Sequence, residues 1–281
     1  MSEFCTYETA WCPGCGNFAI LDCLKTALNE LELEPHKVLM VAGIGQAAKT
    51  PQYISANAFC GLHGRALPAA VAAKMANQEL TVIVDSGDGD SYGEGGNHFL
   101  HNVRRNVNIT HFVHDNQIYG LTKGQASPTS LEGMITPVQV YGNINPPLNP
   151  VLLAISAGAG FVARAFSGDK AQLVSIMKEA IQYKGYALVD ILQPCISFNK
   201  LNTFAYYKER VYKLEDSYDP GNKIAAMEKS MEVDEKIPTG ILYKEVKKNY
   251  LEKNVILNDG KILYDKIRPV EAVYEFGKSF V

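Results

Sequence analysis

Short runs rich in Val and Ile alternate with segments of helical composition over the first two thirds of the chain. The apolar runs predict five strands, at Val38–Ala42, Leu80–Val84, Ile109–Val113, Phe161–Ala165 and Ala187–Ile191. The segments around them predict helices, at Phe18–Leu31, Ala66–Asn77, His98–Asn106, Pro150–Ala157 and Lys170–Tyr183. Successive β-α-β crossovers build a parallel sheet, and strands without polar alternation suit a sheet covered on both faces. The pattern predicts an α/β fold with a doubly wound, mostly parallel sheet.

The pattern changes after Leu201, where tyrosines mix with charged residues and the periodicity is lost. Turn-forming residues at Asp219-Pro220-Gly221 and Ile237-Pro238-Thr239-Gly240 interrupt this part of the chain. We therefore expect an α/β domain over residues 1–213. Residues 214–281 are expected to form a C-terminal extension that packs on this domain or on a partner subunit.

Composition and charge exclude some classes of protein. The chain has 281 residues, of which 47% are hydrophobic, and 27 basic against 30 acidic side chains give a net charge of −3. This balance offers no electrostatic reason to expect nucleic acid or an anionic membrane as partner. The longest apolar stretch, Val151 to Ala163, is shorter than the roughly 20 residues of a membrane span, and no secretory signal is visible. A cytoplasmic globular protein is the expectation.

Polar and glycine-rich clusters follow four of the predicted strands. They are Gly43-Ile44-Gly45-Gln46, Gly87-Asp88-Gly89-Asp90, Asp115-Asn116-Gln117 and Gln193-Pro194-Cys195. Any one of them is explained by ordinary turn chemistry. Four together indicate a ligand site, because the carboxyl edge of an open parallel sheet is where ligands bind.

Asp88 and Asn116 suggest the chemistry of that site. A carboxylate and an amide oxygen from neighbouring strands suit Mg²⁺, which binds oxygen ligands and commonly holds phosphates as well. The flanking Gly87 and Gly89 allow the backbone to approach a diphosphate closely. The sequence therefore predicts a magnesium diphosphate site.

The spacing of these residues resembles a known motif. Gly87-Asp88-Gly89, then 25 residues, then Asp115-Asn116, is similar to the thiamine diphosphate motif, with Asp115 where the motif commonly has Asn. Longer stretches resemble the β subunit of 2-oxoacid:ferredoxin oxidoreductases. They are Trp11 to Asn17, Leu62 to Pro68, Gly95 to Phe99 and Tyr119 to Thr129. The fold implied is the thiamine diphosphate-binding fold.

The resemblance implies a reaction and its site residues. The reaction is the oxidative decarboxylation of a 2-oxoacid with coenzyme A, which gives acyl-CoA and CO₂ and passes electrons through an iron–sulfur cluster to ferredoxin. The implied Mg²⁺ ligands are Asp88, Asn116 and the carbonyl of Ile118. The implied thiamine diphosphate contacts are Ile44, Gly45, Gln46, His63, Gly87, Gly89, Asp90, Gly120, Leu121 and Thr122.

Three further residues are candidates for catalysis. His63 would act in the active site, although a structural, hydrogen-bonded histidine is also compatible with the sequence. Lys49 and Lys123 follow two of the loops, and each could offer an ammonium group to a substrate carboxylate or simply lie at the surface.

The iron–sulfur site departs from the pattern of its relatives. Three cysteines match, Cys12, Cys15 and Cys195, but the position that would supply the fourth is Gln46. A [4Fe–4S] cluster normally takes four thiolates, so we interpret Gln46 as serving thiamine diphosphate. The fourth iron ligand stays open between water, a non-protein ligand, Cys5 and Cys60.

The same resemblance implies a partner. Thiamine diphosphate enzymes need a second, pyrimidine-binding domain, for which about 215 residues of one α/β domain leave no room. The family carries it on a separate α subunit, so we expect an αβ or (αβ)₂ assembly.

Two alternatives of other classes use Cys12 and Cys15: a dithiol oxidoreductase, or a zinc-stabilised binding module. Both leave the diphosphate clusters unexplained, and a visible spectrum separates them from a brown iron–sulfur protein.

Overall fold

The computed structural model describes residues 4–259, 262–266 and 269–280. Its sheet has eight strands: β1 (Val38–Ala42), β2 (Asn57–Cys60), β3 (Thr81–Gly87), β4 (Ile109–Asp115), β5 (Phe161–Phe166), β6 (Tyr186–Leu192), β7 (Val211–Lys213) and β8 (Ile237–Lys244). The order across the sheet is β2-β1-β3-β4-β6-β5-β8-β7. Strands β1 to β6 run parallel, whereas β8 pairs antiparallel to β5 and parallel to β7. The predicted α/β fold with a mostly parallel sheet is confirmed.

Nine helices are present in the described part of the chain: α1 (Gly16–Glu30), α2 (Ala66–Ala76), α3 (Gly96–Arg105), α4 (Pro150–Ser156), α5 (Lys170–Gln182), α6 (Phe204–Arg210), α7 (Lys223–Ser230), α8 (Tyr250–Lys253) and α9 (Val270–Lys278). Several begin at a side-chain cap, which satisfies backbone N–H groups that lack a helical partner. The Asp169 carboxylate, for example, accepts the Gln172 N–H ahead of α5. None of the described helices is long and apolar enough to span a bilayer.

Helices cover both faces of the sheet. Leu24 and Leu28 of α1 pack with Leu173 and Met177 of α5 in one core cluster, and α2, α3 and α4 contribute to the cluster on the opposite face. Strand β3 shows why its sequence lacks polar alternation: Ile83 packs into the first cluster, Val82 and Val84 pack into the second, and all are buried.

Two strands extend two or three residues further than the apolar pattern predicted. Strand β3 runs on to Gly87 and β4 to Asp115, past the polar residues Asp85 and His114, where the predicted strands had ended. Both polar side chains are fully buried, and His114 Nε2 lies 2.9 Å from Asp85 Oδ1. Because the two groups meet each other inside the core, the strands continue through them.

Strands β2, β7 and β8 were absent from the sequence prediction. Strand β2 is an exposed edge strand, so it lacks the buried apolar pattern on which the prediction relied. Strand β8 contains Pro238 and Gly240, which had indicated a break, but Gly240 takes a left-handed φ of +140° beside an irregular register with β5. The chain after residue 213 thus adds an antiparallel strand to the main sheet.

Candidate active site

The four polar clusters lie at one edge of the sheet. Strands β1, β3, β4 and β6 are parallel and are consecutive neighbours in the sheet, so the loops that leave their carboxyl ends are adjacent. This arrangement brings the loops that start at Gly43, Asp88, Asn116 and Gln193 into a single region.

Asp90 ties its own loop after β3 to the Gly43 loop and to the segment that follows β2. Residues Gly89–Glu94 form a single π-helical turn after β3, and the Asp90 carboxylate in it accepts N–H groups from Ile44 (3.0 Å) and Gly64 (2.9 Å). His63 Nδ1 lies 3.2 Å from the same carboxylate. Burial raises the pKa of Asp90, and these donors act in the opposite direction. The geometry gives Asp90 a loop-holding role at the predicted cofactor site.

Gly43 explains why that loop must be glycine-rich. A Cβ on Gly43 would lie 2.1 Å from Asp90 Oδ2, so any side chain would displace the carboxylate. By contrast, a Cβ on Gly45 or on Gly87 would meet no atom within 4 Å. The open space at Gly45 and Gly87 matches what close approach of a cofactor diphosphate requires.

Asp88 is held by two hydroxyl groups. Its side chain is 1% exposed, and its Oδ2 accepts hydrogen bonds from Ser127 Oγ (2.5 Å) and Thr129 Oγ1 (2.8 Å). Burial raises the pKa of Asp88, and these hydrogen bonds oppose the shift. A buried carboxylate of this kind is well placed to gain from a cation. Ser127 and Thr129 were part of the motif by which the family was recognised, but their hold on Asp88 was not predicted.

Thr129 also contacts a second carboxyl group, since its Oγ1 lies 2.7 Å from Asp115 Oδ1. The pKa of Asp115 is held well above its ordinary value by burial first, and then by the negative charges of Asp190 and Asp88. Because Thr129 has only one hydroxyl hydrogen, it donates to one carboxylate at a time, and a protonated Asp115 can serve as the second donor. This explains how an acid is accommodated at the position where the motif commonly has Asn.

Asn116 and Ile118 lie in a tight turn. Asn116 Oδ1 accepts the Ile118 N–H at 3.1 Å, and Gln117 between them takes a left-handed φ of +57°. Asn199 Nδ2 donates to the Asn116 carbonyl at 3.0 Å and fixes the turn from outside. The Asp88 carboxylate, the Asn116 amide and the Ile118 carbonyl each offer an oxygen, the type of ligand that suits Mg²⁺.

The matched cysteines line one cavity, here named the cysteine cavity. Cys12, Cys15, Cys195 and Gln46 all contribute to its wall. Burial is the main factor that raises the pKa of the Cys15 thiol to about 11, and nearby Cys195 and Cys12 raise it further. Across residues 4–259, 262–266 and 269–280, no three His, Cys, Asp or Glu side chains are already gathered as a metal site. Gln46 lines this cavity together with the cysteines, and its predicted contact with thiamine diphosphate stays a prediction.

Gln193 links the cysteine cavity to the turn at Asn116. Its Oε1 accepts Asn116 Nδ2 at 3.3 Å, and its Nε2 donates to Cys15 Sγ at 3.6 Å. Gly16 leaves room for this side chain, since a Cβ there would lie 2.7 Å from Gln193 Cγ. One side chain thus contacts both a candidate Mg²⁺ ligand and a candidate cluster ligand. The sequence placed Gln193 at the right edge of the sheet but gave no sign of this linking position.

The remaining predicted residues occupy the rim of the region. Lys49 is half-buried in a 3₁₀ helix, Ala47–Gln52, directly after the Gly43–Gln46 loop. Leu121, Thr122 and Lys123 lie exposed on the turn after Gly120, and Lys123 has a left-handed φ of +74°. Hydrogen bonds between Tyr119, Gly124 and Gln125 close this turn.

Comparison with known proteins gives two family matches. Residues 38–191 match the model of the thiamine pyrophosphate enzyme, C-terminal TPP binding domain. Residues 195–258 match the model of the C-terminal part of the pyruvate ferredoxin oxidoreductase beta subunit. Together the two matches include the parallel sheet and most of the chain beyond it.

Individual relatives agree with these matches. The 2-oxoacid:ferredoxin oxidoreductase subunit beta of Saccharolobus solfataricus is 48% identical over 246 residues, which is 83% of this chain and 81% of that protein. A 2-oxoglutarate oxidoreductase subunit of Mycobacterium tuberculosis is 43% identical over 72% of this chain and 54% of its own. Among solved structures, the 2-oxoglutarate:ferredoxin oxidoreductase of Magnetococcus marinus, with 2-oxoglutarate, coenzyme A and succinyl-CoA bound, superposes with a TM-score of 0.87. It is 38% identical and covers 92% of this chain and 90% of that one.

Proposed function

Because the chain belongs to the family of 2-oxoacid:ferredoxin oxidoreductase beta subunits, we propose that its carboxyl-edge loops bind thiamine diphosphate through Mg²⁺ and that its cysteine cavity holds an iron–sulfur cluster. The resemblance read from the sequence is confirmed by relatives and by both family matches. The chain is a subunit of an oxidoreductase that acts on 2-oxoacids, with a thiamine diphosphate-binding domain.

The observation that carries the proposal is the contact of Gln193 with Asn116 on one side and Cys15 on the other. It joins an oxygen-rich loop suited to a magnesium diphosphate and a thiol-lined cavity suited to iron and sulfide. A dithiol oxidoreductase or a zinc module would use the cysteine cavity alone. Neither alternative explains the buried Asp88 loop beside it.

Each loop has a distinct part in the proposed chemistry. Asp88, Asn116 and the Ile118 carbonyl would hold Mg²⁺, which would neutralise charge on the cofactor diphosphate. Gly45 and Gly87 leave space for the diphosphate, while Asp90 and His63 keep the neighbouring loops in position. Thiamine diphosphate, when bound, supplies the electron sink that lets CO₂ leave the 2-oxoacid.

The proposed substrates are those of the reaction that the family catalyses. The proposed reaction converts a 2-oxoacid and coenzyme A to acyl-CoA and CO₂ with ferredoxin as electron acceptor. Cys12, Cys15 and Cys195 would hold the iron–sulfur cluster, which would supply the electron exit. Lys49 and Lys123 border the cofactor loops, and their ammonium groups are proposed to bind the substrate carboxylate. His63, beside Asp90, is proposed to act in the same site.

The remaining half of the site comes from another chain. We propose an α subunit that carries the pyrimidine-binding domain, in an αβ or (αβ)₂ assembly. Exposed apolar side chains on the loop after Thr129, including Ile135, Tyr141 and Ile144, are compatible with such a contact.

The test is reconstitution under anaerobic conditions. The purified αβ complex is assayed for thiamine diphosphate, magnesium, iron and sulfide, and for reduction of ferredoxin that depends on both a 2-oxoacid and coenzyme A. Bound thiamine diphosphate and iron together with this activity support the proposal. A colourless complex that still decarboxylates would contradict the iron–sulfur part.

A further inference from the structure

The side chains that line the cysteine cavity are not all thiols. Three thiols, of Cys12, Cys15 and Cys195, line it together with the carboxamide of Gln46. Among the described residues, no hydrogen-bond partner is found for Gln46 Oε1, although that atom is buried. A buried oxygen without a partner is costly and indicates that a group absent from the structure meets it.

The backbone of Gln46 is fixed firmly. Trp11 Nε1 donates to the Gln46 carbonyl at 2.8 Å, and the Trp11 ring packs edge-on against Phe18 and Tyr53. Trp11 is also the residue directly before Cys12. The contact therefore joins the first cysteine loop to the loop that carries Gln46.

The side chain of Gln46 is directed to the same space as Cys195. A Cβ on Gly120 would lie 4.0 Å from both Gln46 Cγ and Cys195 Sγ. Gly120 thus borders a space that the Gln46 side chain and the third thiol share.

The other three cysteines lie elsewhere. Cys5 is exposed, and its backbone N–H binds Ser55 Oγ. Cys60 is exposed at the end of β2, and buried Cys23 directs its thiol towards the Lys170 carbonyl, at 3.7 Å. None of the three lines the cavity.

We propose that the cysteine cavity holds a [4Fe–4S] cluster whose four irons are not equivalent. Three irons bind the thiolates of Cys12, Cys15 and Cys195, and the fourth faces the Gln46 carboxamide. The inference rests on the proposed cluster and goes further by fixing which iron lacks a thiolate. A neutral amide oxygen holds such an iron far less firmly than a thiolate does, so this iron is exchangeable.

The test is iron exchange in the anaerobically purified αβ complex. Ferricyanide removes one electron from a [4Fe–4S]²⁺ cluster, and an iron without a thiolate then leaves as Fe²⁺, so that [3Fe–4S]⁺ remains. We expect about one Fe²⁺ released per cluster, the EPR signal of [3Fe–4S]⁺, and a single labelled iron in the Mössbauer spectrum after ⁵⁷Fe²⁺ and a reductant are added.

The matched variant is Gln46→Cys, which supplies a fourth thiolate at the same place. It should retain all its iron under the same treatment and give no [3Fe–4S]⁺ signal. Native complex that keeps four irons after oxidation would overturn the inference while leaving the proposed cluster intact. Native complex without iron or sulfide would overturn both. The ⁵⁷Fe experiment on native complex decides the matter even if the variant does not assemble.

Discussion

The hydroxyl of Tyr92 donates a 2.8 Å hydrogen bond to Asp190 Oδ1, and both side chains are buried. Tyr92 belongs to the π-helical turn after β3, whereas Asp190 lies on β6, two strands away in the sheet. Arg164, the register neighbour of Asp190 on β5, supplies a buried positive charge that stabilises the Asp190 carboxylate. The loop that carries Asp88 is thereby anchored to the middle of the sheet.

Tyr92→Phe should weaken metal binding without changing the chemistry. The variant keeps the ring but removes a hydrogen bond to a charged group, an interaction of about 2 kcal/mol. If part of that energy holds the Asp88 loop in place, the complex binds thiamine diphosphate and Mn²⁺, used as a probe in place of Mg²⁺, about tenfold more weakly. Its kcat at saturating cofactor stays close to native.

Tyr207→Phe is the matched control for Tyr92→Phe. Tyr207 is also buried, but its hydroxyl has no hydrogen-bond partner among the described residues. This variant should leave Mn²⁺ affinity unchanged. Equal Mn²⁺ affinities of the Tyr92 variant and native complex, by EPR titration, would show that the contact only stabilises the fold.

Asp88→Ala should abolish magnesium-dependent binding of thiamine diphosphate. The substitution removes the one charged member of the proposed ligand set, so we expect a loss of more than about 100-fold in cofactor affinity. The measurement is thiamine diphosphate content and turnover of the purified complex. Asp216→Ala, which removes an exposed carboxylate, should retain both. An Asp88 variant that keeps its cofactor shows that the metal is held elsewhere.

The isolated chain should not decarboxylate 2-oxoacids, since half of the proposed cofactor site lies on the α subunit. Addition of purified α subunit should restore reduction of a dye with a 2-oxoacid and coenzyme A as substrates. The readout is the rate against α concentration, which should saturate at a fixed ratio of subunits. Dye reduction by the isolated chain, dependent on a 2-oxoacid, argues against a shared site.

His111 should make the complex less stable as the pH falls. Burial lowers the pKa of His111 to about 3, and Ser86, Ser91 and Tyr186 surround its ring nitrogens. An unfolded chain takes up a proton near pH 6.5 and the folded one does not, so this group lowers the free energy of unfolding by up to about 1.4 kcal/mol per pH unit between pH 6.5 and 3.

The check on His111 is the pH dependence of thermal unfolding. The unfolding temperature of the native complex should fall more steeply between pH 6.5 and 5 than that of a His111→Gln complex. The difference should vanish above pH 7.5, where the histidine is neutral in both states. Parallel curves for the two proteins contradict a buried neutral histidine.

The part of the fold that the sequence predicts well is the part with apolar runs. All five predicted strands and all five predicted helices form. The strands are buried on both faces and the helices on one, so their buried positions are recognisable in the sequence as Val, Ile and Leu. The prediction stopped early where a strand carries polar residues that meet each other inside the core, as at Asp85 and His114. It also missed β2, whose exposed edge gives no apolar signal.

The candidate site shows the same limit. Sequence position placed Asp88 and Asn116 at one sheet edge, since parallel strands end there together. Contacts between residues far apart in the sequence leave no such pattern. Ser127 and Thr129, which donate hydrogen bonds to Asp88, lie 39 and 41 residues from it along the chain. The side-chain route from Asn116 to Cys15 through Gln193 depends on how α1 meets β6, which only the folded chain shows.

Strand β8 has a consequence for the order in which the molecule is made. Its partner β5 ends at Phe166, yet β8 begins only at Ile237, so the ribosome completes the parallel sheet well before it delivers the strand that covers its last edge. During that interval β5 presents unpaired backbone groups, which favour pairing with other chains. A nascent chain that stalls before residue 237 is therefore more prone to aggregate than the finished chain.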